Sequence, residues 1–226
     1  MLGIITATKE EFEALNQALG TNQTGAMNYI EGSLKGQKVV GVQCGIGKVN
    51  AALCAQKMVD KYSPDGIIMV GVAGALDPSL SVGDVVISKD AVQHDFDTKI
   101  FGDPVGFITG FDSIEFKADP KLMQLAEQAA KSLGYHYIVG RVLSGDQFIC
   151  EPDKKKWLID TFQGTCTEME GAAIAQACTV NKTPFVILRA ISDSASGEAP
   201  MQYNDFVKLA AAKAIALLEK MMEETA

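Results

Sequence analysis

Gly66-Ile-Ile-Met-Val-Gly-Val-Ala-Gly74 is a continuous apolar run bounded by turn signals. Such a run fits a central strand buried on both faces by helices, which makes the chain an α/β protein. Its end, Gly71-Val72-Ala73-Gly74, reads as a glycine-rich loop at the carboxyl end of that strand, where open α/β sheets place their ligands.

Upstream, Leu2 to Ala7 is a short β-branched strand, and Thr8 caps a helix that sets Phe12, Leu15 and Leu19 on one face. Glu10, Glu11 and Glu13 all fall near its first turn, where the helix dipole favours acids in any case. Asn28 to Leu34 and Gln37 to Cys44 read as a hairpin around Lys35-Gly36. Gly45-Ile46-Gly47-Lys48 then opens a helix from Val49 to Tyr62. A Walker A loop there requires glycine where Val42 stands and serine or threonine where Val49 stands; a dinucleotide G-x-G-x-x-G requires glycine at Asn50. Both phosphate motifs fail. The glycines instead suit a tight turn and a close approach of backbone to a ligand or helix.

Downstream, Val82 to Val92 adds a strand, and Gln93 to Lys117 is an irregular stretch rich in phenylalanine, expected to cover a site or a subunit contact. Ala118 to Leu133 is an amphipathic helix started by Asp119-Pro120 and stopped by Gly134. Tyr137 to Leu143 is a strand ending in Ser144-Gly-Asp-Gln-Phe-Ile149; Val142 and Asp146 exclude a nucleophile elbow around Ser144. Phe148 is core by default, or a ring able to stack on a flat ligand. Lys154 to Phe162 predicts a short helix with its three consecutive lysines in solvent. Thr165 to Thr167 ends a strand, and Gly171 to Cys178 begins a helix with a small-residue inner face. Between them, Glu168 and Glu170 lie two apart, so on extended backbone both point to one face and suit a diol. Pro184 to Ile191 is another buried strand delivering Ser192-Asp193, and a helix from Tyr203 to about Met222 closes the chain. One domain spanning residues 1–226 accounts for the pattern.

The formal charge of −8 leaves no basic surplus to neutralise a polyanion, so nucleic acid is not expected as a partner. Of the 20 basic residues only Arg141 and Arg189 are arginine. The 5 cysteines have no C-x-x-C spacing and, with only His94 and His136 beside them, predict buried thiols and no metal site. No run approaches the ~20 apolar residues of a membrane span, so a cytoplasmic location is expected.

Glu11, Glu170 and Asp193 then stand at or just after the carboxyl ends of different predicted strands, which converge in a parallel sheet. Two carboxyl groups across a cleft, with a third gripping sugar hydroxyls, are what cleavage of a glycosidic bond requires.

Six stretches, in order, carry a family resemblance: Gly3-Ile-Ile-Thr-Ala-Thr-Lys-Glu-Glu11, Gly45-Ile-Gly-Lys-Val49, Gly71-Val-Ala-Gly74, Ser144-Gly-Asp-Gln-Phe148, Glu168-Met-Glu-Gly-Ala172 and Arg189-Ala-Ile-Ser-Asp193. Together they resemble the signature of bacterial 5'-methylthioadenosine/S-adenosylhomocysteine nucleosidases, over nearly the whole chain. The resemblance implies a three-layer α/β fold, with a central mixed twisted sheet flanked by helices, of nucleoside phosphorylase type. It also implies hydrolysis of the N-glycosidic bond of methylthioadenosine and S-adenosylhomocysteine by water, in methionine salvage, with no cofactor.

Role by role, the resemblance implies that Glu11 activates water and that Asp193, supported by Ser192, donates to N7 of adenine. Glu170 binds the ribose hydroxyls over Met169, and Phe148 stacks on adenine while the Ile149 backbone reads its edge. Ile46, Val72, Gly74 and Tyr203 complete the pocket. A homodimer is implied, in which Phe101 and Pro104 of the Gln93 to Lys117 loop reach the partner's 5' pocket.

Val72 stands where many members carry a small polar residue, and Tyr203 where an aromatic without a hydroxyl is common. The 5' substituent therefore stays open among methylthioadenosine, S-adenosylhomocysteine, 5'-deoxyadenosine and futalosine-type nucleosides. A purine nucleoside phosphorylase remains an alternative, disfavoured by the scarcity of arginine for binding phosphate. A nucleoside-binding protein without turnover is a second, disfavoured because Glu11 and Asp193 are both present.

Overall fold

A computed structural model describes residues 1–193 and 199–224, the side chains of residues 199–205 excepted. In chain order the elements are β1 (Leu2–Thr6), α1 (Lys9–Leu19), β2 (Ile30–Leu34), β3 (Gln37–Gln43), α2 (Lys48–Tyr62), β4 (Gly66–Ala75), β5 (Val85–Gln93), β6 (Phe116–Lys117), α3 (Pro120–Ser132), β7 (Tyr137–Ser144), α4 (Pro152–Phe162), β8 (Cys166–Glu168), α5 (Gly171–Asn181), β9 (Phe185–Asp193) and α6 (Ala199–Glu223). The β2–β3 hairpin turns where expected: Lys35 and Gly36 both have positive φ, 49° and 85°, as a two-residue hairpin loop with matching twist requires.

The strands form one mixed sheet in the order β2-β3-β1-β4-β8-β7-β5-β6, with β9 pairing both β4 and β5. Strands β1, β3, β4 and β9 run parallel. Strand β5 runs antiparallel to β9, and β8 antiparallel to β4, while β5, β7 and β8 are parallel to one another. The pairings β4–β8–β7–β5–β9–β4 therefore close into a circuit.

Alternation along the strands sorts side chains into two layers of core. Ile4, Ile68, Val70, Val186 and Leu188 face α1, α3 and α6, whereas Ile5, Ile67, Met69 and Ile187 face α2 and α5. This is the expected three-layer arrangement. A smaller cluster of Leu76, Val92, Leu143, Leu158 and Phe162 seats α4.

Three local expectations are corrected. Gly71 to Gly74 is not a loop: β4 runs on to Ala75 because β8 and β9 supply partners on its two sides, and it only shifts register between Ala73 and Gly74. The α4 lysines do not all face solvent. Lys155 is 2% exposed, because it shares the inner face of the helix with Leu158 and Phe162 at spacings of three and seven. Finally, Glu168 to Glu170 leave a strand antiparallel to β4, so the site is assembled by closing the circuit rather than at the common end of a parallel sheet.

Candidate active site

Thr8 precedes α1 with extended backbone, and its hydroxyl accepts from the Glu11 amide at 3.3 Å, while Glu11 Oε2 accepts from the Thr8 amide at 2.9 Å. This reciprocal capping box turns Glu11 inward, away from its exposed neighbour Glu13. Glu11 Oε2 also accepts from Ala7 N at 2.7 Å, and Oε1 from Val72 N at 2.9 Å. Three amides and a burial of 1% exposure thus fix this carboxylate between α1 and β4.

The two carboxylates of the Glu168-Met169-Glu170 turn do not share a face. Glu168 turns back into the protein, where it pairs with Arg189, accepts from the Ser144 hydroxyl and takes the Gly171 amide at 2.8 and 3.0 Å. Its two oxygens are occupied there, which leaves the diol reading to Glu170 alone. Glu170 breaks the extended run, with φ −136° and ψ −41° at the start of α5, and its Oε1 accepts from Gly47 N at 2.9 Å. The glycine loop before α2 thus serves close backbone approach: Gly45 and Gly47 have φ of 85° and 100°. A side chain at Gly47 meets Asp146 Oδ1 at 3.2 Å.

Arg189 on β9 ties these groups together. It is 1% exposed, with Nη1 3.7 Å from Glu11 Oε1 and Nη2 3.6 Å from Glu170 Oε2, in addition to the Glu168 pair. Burial opposes its charge, but Glu168, Glu11 and Glu170 together hold it protonated. Burial, with Glu168 adding to it, pushes the Glu170 carboxyl up to about 8.

Asp193 ends β9 at 2% exposure. Burial raises its carboxyl above the ordinary range, against the pull of the Ser192 hydroxyl, which donates to Oδ1 at 2.9 Å, and of Lys155, whose Nζ lies 3.9 Å from Oδ2. Gly74 gives this carboxyl its room, since a Cβ there comes within 2.8 Å of Oδ2.

A cleft of about 200 Å³ brings these residues together. Its walls include Glu11, Ile46, Val72, Gly74, Phe148, Ile149, Met169, Glu170, Ser192 and Asp193. Phe148 is 47% exposed and is therefore wall rather than core. The side chain of Tyr203 lies outside the described residues. Phe101 and Pro104 do not line the cleft of their own chain, and Phe101 is 83% exposed. Arg141 does not line this cleft and is paired instead with Asp90 and Glu115.

Sequence reasoning missed the commitment of Glu168 to Arg189 and the burial of Lys155. The signal for Glu168 was weak, since spacing shows that two carboxylates are near but not which of them turns inward. For Lys155 it was available: Lys155, Leu158 and Phe162 make an apolar helical stripe in which the lysine replaces a hydrophobic residue.

Comparison with known proteins gives a consistent result. The model of the phosphorylase superfamily matches residues 1–223. A 5'-methylthioadenosine/S-adenosylhomocysteine nucleosidase of Staphylococcus haemolyticus is 38% identical, with 99% of each chain covered. Among solved structures, the nucleosidase of the same name from Neisseria meningitidis, in complex with methylthio-immucillin-A, superposes with a TM-score of 0.92 at 33% identity, covering 99% of this chain and 98% of that one. Futalosine hydrolase of Helicobacter pylori superposes with a TM-score of 0.91 at 29% identity, covering 99% and 97%.

Proposed function

The chain belongs to the phosphorylase superfamily and, within it, to the 5'-methylthioadenosine/S-adenosylhomocysteine nucleosidases, and from that premise we propose how its own residues perform the reaction. It hydrolyses the N-glycosidic bond of methylthioadenosine and S-adenosylhomocysteine, releasing adenine and the 5-thioribose product. Glu11 takes a proton from the attacking water as the sugar becomes oxocarbenium-like, and Asp193 gives a proton to N7 so that adenine leaves neutral. Glu170 accepts from the ribose hydroxyls above Met169, and Phe148 stacks on the base beside Ile149. Ile46, Val72 and Gly74 shape the remaining wall.

The observation that carries hydrolysis over phosphorolysis is the charge of the cleft. Among the described residues its lining holds Glu11, Glu168, Glu170 and Asp193 but no arginine or lysine, and Arg189 behind it is engaged by three carboxyl groups. An inorganic phosphate finds no cation in that lining to bind it and faces the Glu11 carboxylate, where water finds an acceptor.

The exposed apolar side chains support a homodimer. Ile46 in the loop before α2 and Val49 and Leu53 on that helix are 55%, 69% and 61% exposed, and Ile100 and Phe101 project from the Gln93 to Lys117 stretch at 86% and 83%. We assign Phe101 and Pro104 to the 5' pocket of a second copy. All 5 cysteines are free thiols and no described helix is long and apolar enough to cross a membrane, which suits a cytoplasmic enzyme.

Adenine release from methylthioadenosine in phosphate-free buffer tests the reading. Release that collapses in Glu11→Gln supports it; release only when phosphate is added assigns phosphorolysis instead. Parallel assays with futalosine and 5'-deoxyadenosine establish the 5' preference.

A further inference from the structure

Lys155 is the one lysine of its triplet that the fold buries. Lys156 is exposed and pairs with Asp160 on the surface, while Lys155 points inward with Leu158 and Phe162. Burying an ammonium in an apolar seat is costly unless an opposite charge accompanies it. Asp193 is the acid set beside it among the described residues, approaching within 3.9 Å and able to take on that charge, and the two side chains are each 3% exposed. The aspartate oxygens are divided: Oδ1 receives the Ser192 hydroxyl, and Oδ2 faces Lys155.

We propose that Lys155 is a positioning residue for Asp193, an ammonium placed to stabilise the carboxylate that remains once the proton has passed to the leaving adenine. The inference rests on the reading of Asp193 as the acid. In that step the C1'–N9 bond breaks with its electron pair going to adenine, the Asp193 proton moves to N7, the oxygen of water bonds to C1', and the proton lost by water goes to Glu11. The negative charge created at Asp193 has Lys155 beside it, with Ser192 as its hydrogen-bond donor.

Among the described residues, the other charged groups near the cleft do not supply this help. Glu11, Glu168 and Glu170 are acids and cannot stabilise a second carboxylate by charge, and Arg189 is engaged with those three rather than with Asp193. Cys150, close to Lys155 in the segment before α4, keeps its thiol proton because burial and Glu151 raise it. Lys155 also opposes the effect of burial on Asp193, so removing it makes the acid weaker. The exchange is useful: a carboxyl too strongly desolvated holds its proton at neutral pH but donates it poorly.

Lys155→Met, Lys155→Gln and Lys155→Arg, each alone and with Asp193→Asn, form the test. Adenine release is measured across pH, and folding is followed by far-UV circular dichroism and thermal midpoint; if the Met variant does not fold, the Gln variant carries the comparison. Neutral replacements are expected to lower kcat about tenfold or more while KM stays within about twofold, a share of the rate that general acid catalysis supplies. Their alkaline limb moves to higher pH, and Lys155→Arg restores most of both. In the Asp193→Asn background the neutral replacements cause no further loss. Wild-type kcat with an unmoved alkaline limb overturns the proposal, as do losses that multiply with that of Asp193→Asn. Wild-type kcat in Asp193→Asn itself overturns the reading of Asp193 as the acid, a different failure.

Discussion

The amide of Gly47 donates to Glu170 Oε1 at 2.9 Å, joining two loops 123 residues apart in the chain. This contact and burial act oppositely on the same carboxyl: the amide favours its charged form, and burial beside Glu168 prevails to hold it near 8. A carboxyl raised on folding gives stability that is fully present below its unfolded value near 4.5 and is lost as pH rises through about 8. The thermal midpoint of the wild type is therefore expected to fall relative to Glu170→Gln between those limits, and a constant difference across the range contradicts the assignment.

Ser192→Ala removes a donor that favours the charged form of Asp193. Because the acid must carry its proton, activity falls as pH rises through the Asp193 value, and loss of this donor moves that alkaline limb upward. A profile of kcat/KM against pH reads the shift; an unmoved limb detaches Asp193 from it.

Gly71→Ala drives a methyl group into the Arg189 and Glu11 side chains, which approach this backbone from the site. Overpacking of this kind costs about 1–3 kcal/mol. Denaturant unfolding is expected to show the loss, together with a fall in kcat from displacement of Glu11. Full activity in this variant means that the pair is free to shift.

Arg189→Met leaves Glu168, Glu170 and Glu11 without their shared cation. Breaking a buried pair on one side costs about 3–5 kcal/mol. Unfolding midpoints should record that loss, and adding Glu168→Gln should recover part of it. Independent, additive losses contradict a shared cluster.

Phe101→Ala and Val49→Asp address the proposed homodimer separately. Sedimentation of the Val49→Asp variant should show single chains, because a charge enters the apolar edge of α2. Phe101→Ala should keep the assembly but raise KM for methylthioadenosine, while leaving 5'-unsubstituted adenosine little changed.

The layers of the fold were legible in the sequence because period and burial agree in it: Ile67, Met69, Ile68 and Val70 alternate between two helical layers just as an apolar run buried on both faces must. Local pattern alone read Glu11 as a helix-start acid, and it became a candidate beside Glu170 and Asp193 only through the order of strands and the family resemblance; its contact with the Val72 amide of β4 was not legible. Glu168 was misread with Glu170 because two-residue spacing fixes a common face only while backbone stays extended, and Glu170 has left that conformation. The antiparallel pairings of β5 and β8 depend on contacts distant along the chain, which no local pattern carries.

The closed strand circuit has one more consequence, for the order in which the molecule comes apart. Glu11 is anchored to β4, and Asp193 ends β9, whose two neighbours are β4 and β5. Fraying from the sheet edges at β2 or β6 therefore leaves the strands of the site paired on both sides. The amide protons of β4 and β9 should exchange with solvent only through global unfolding, so that the catalytic groups are dismantled last and together.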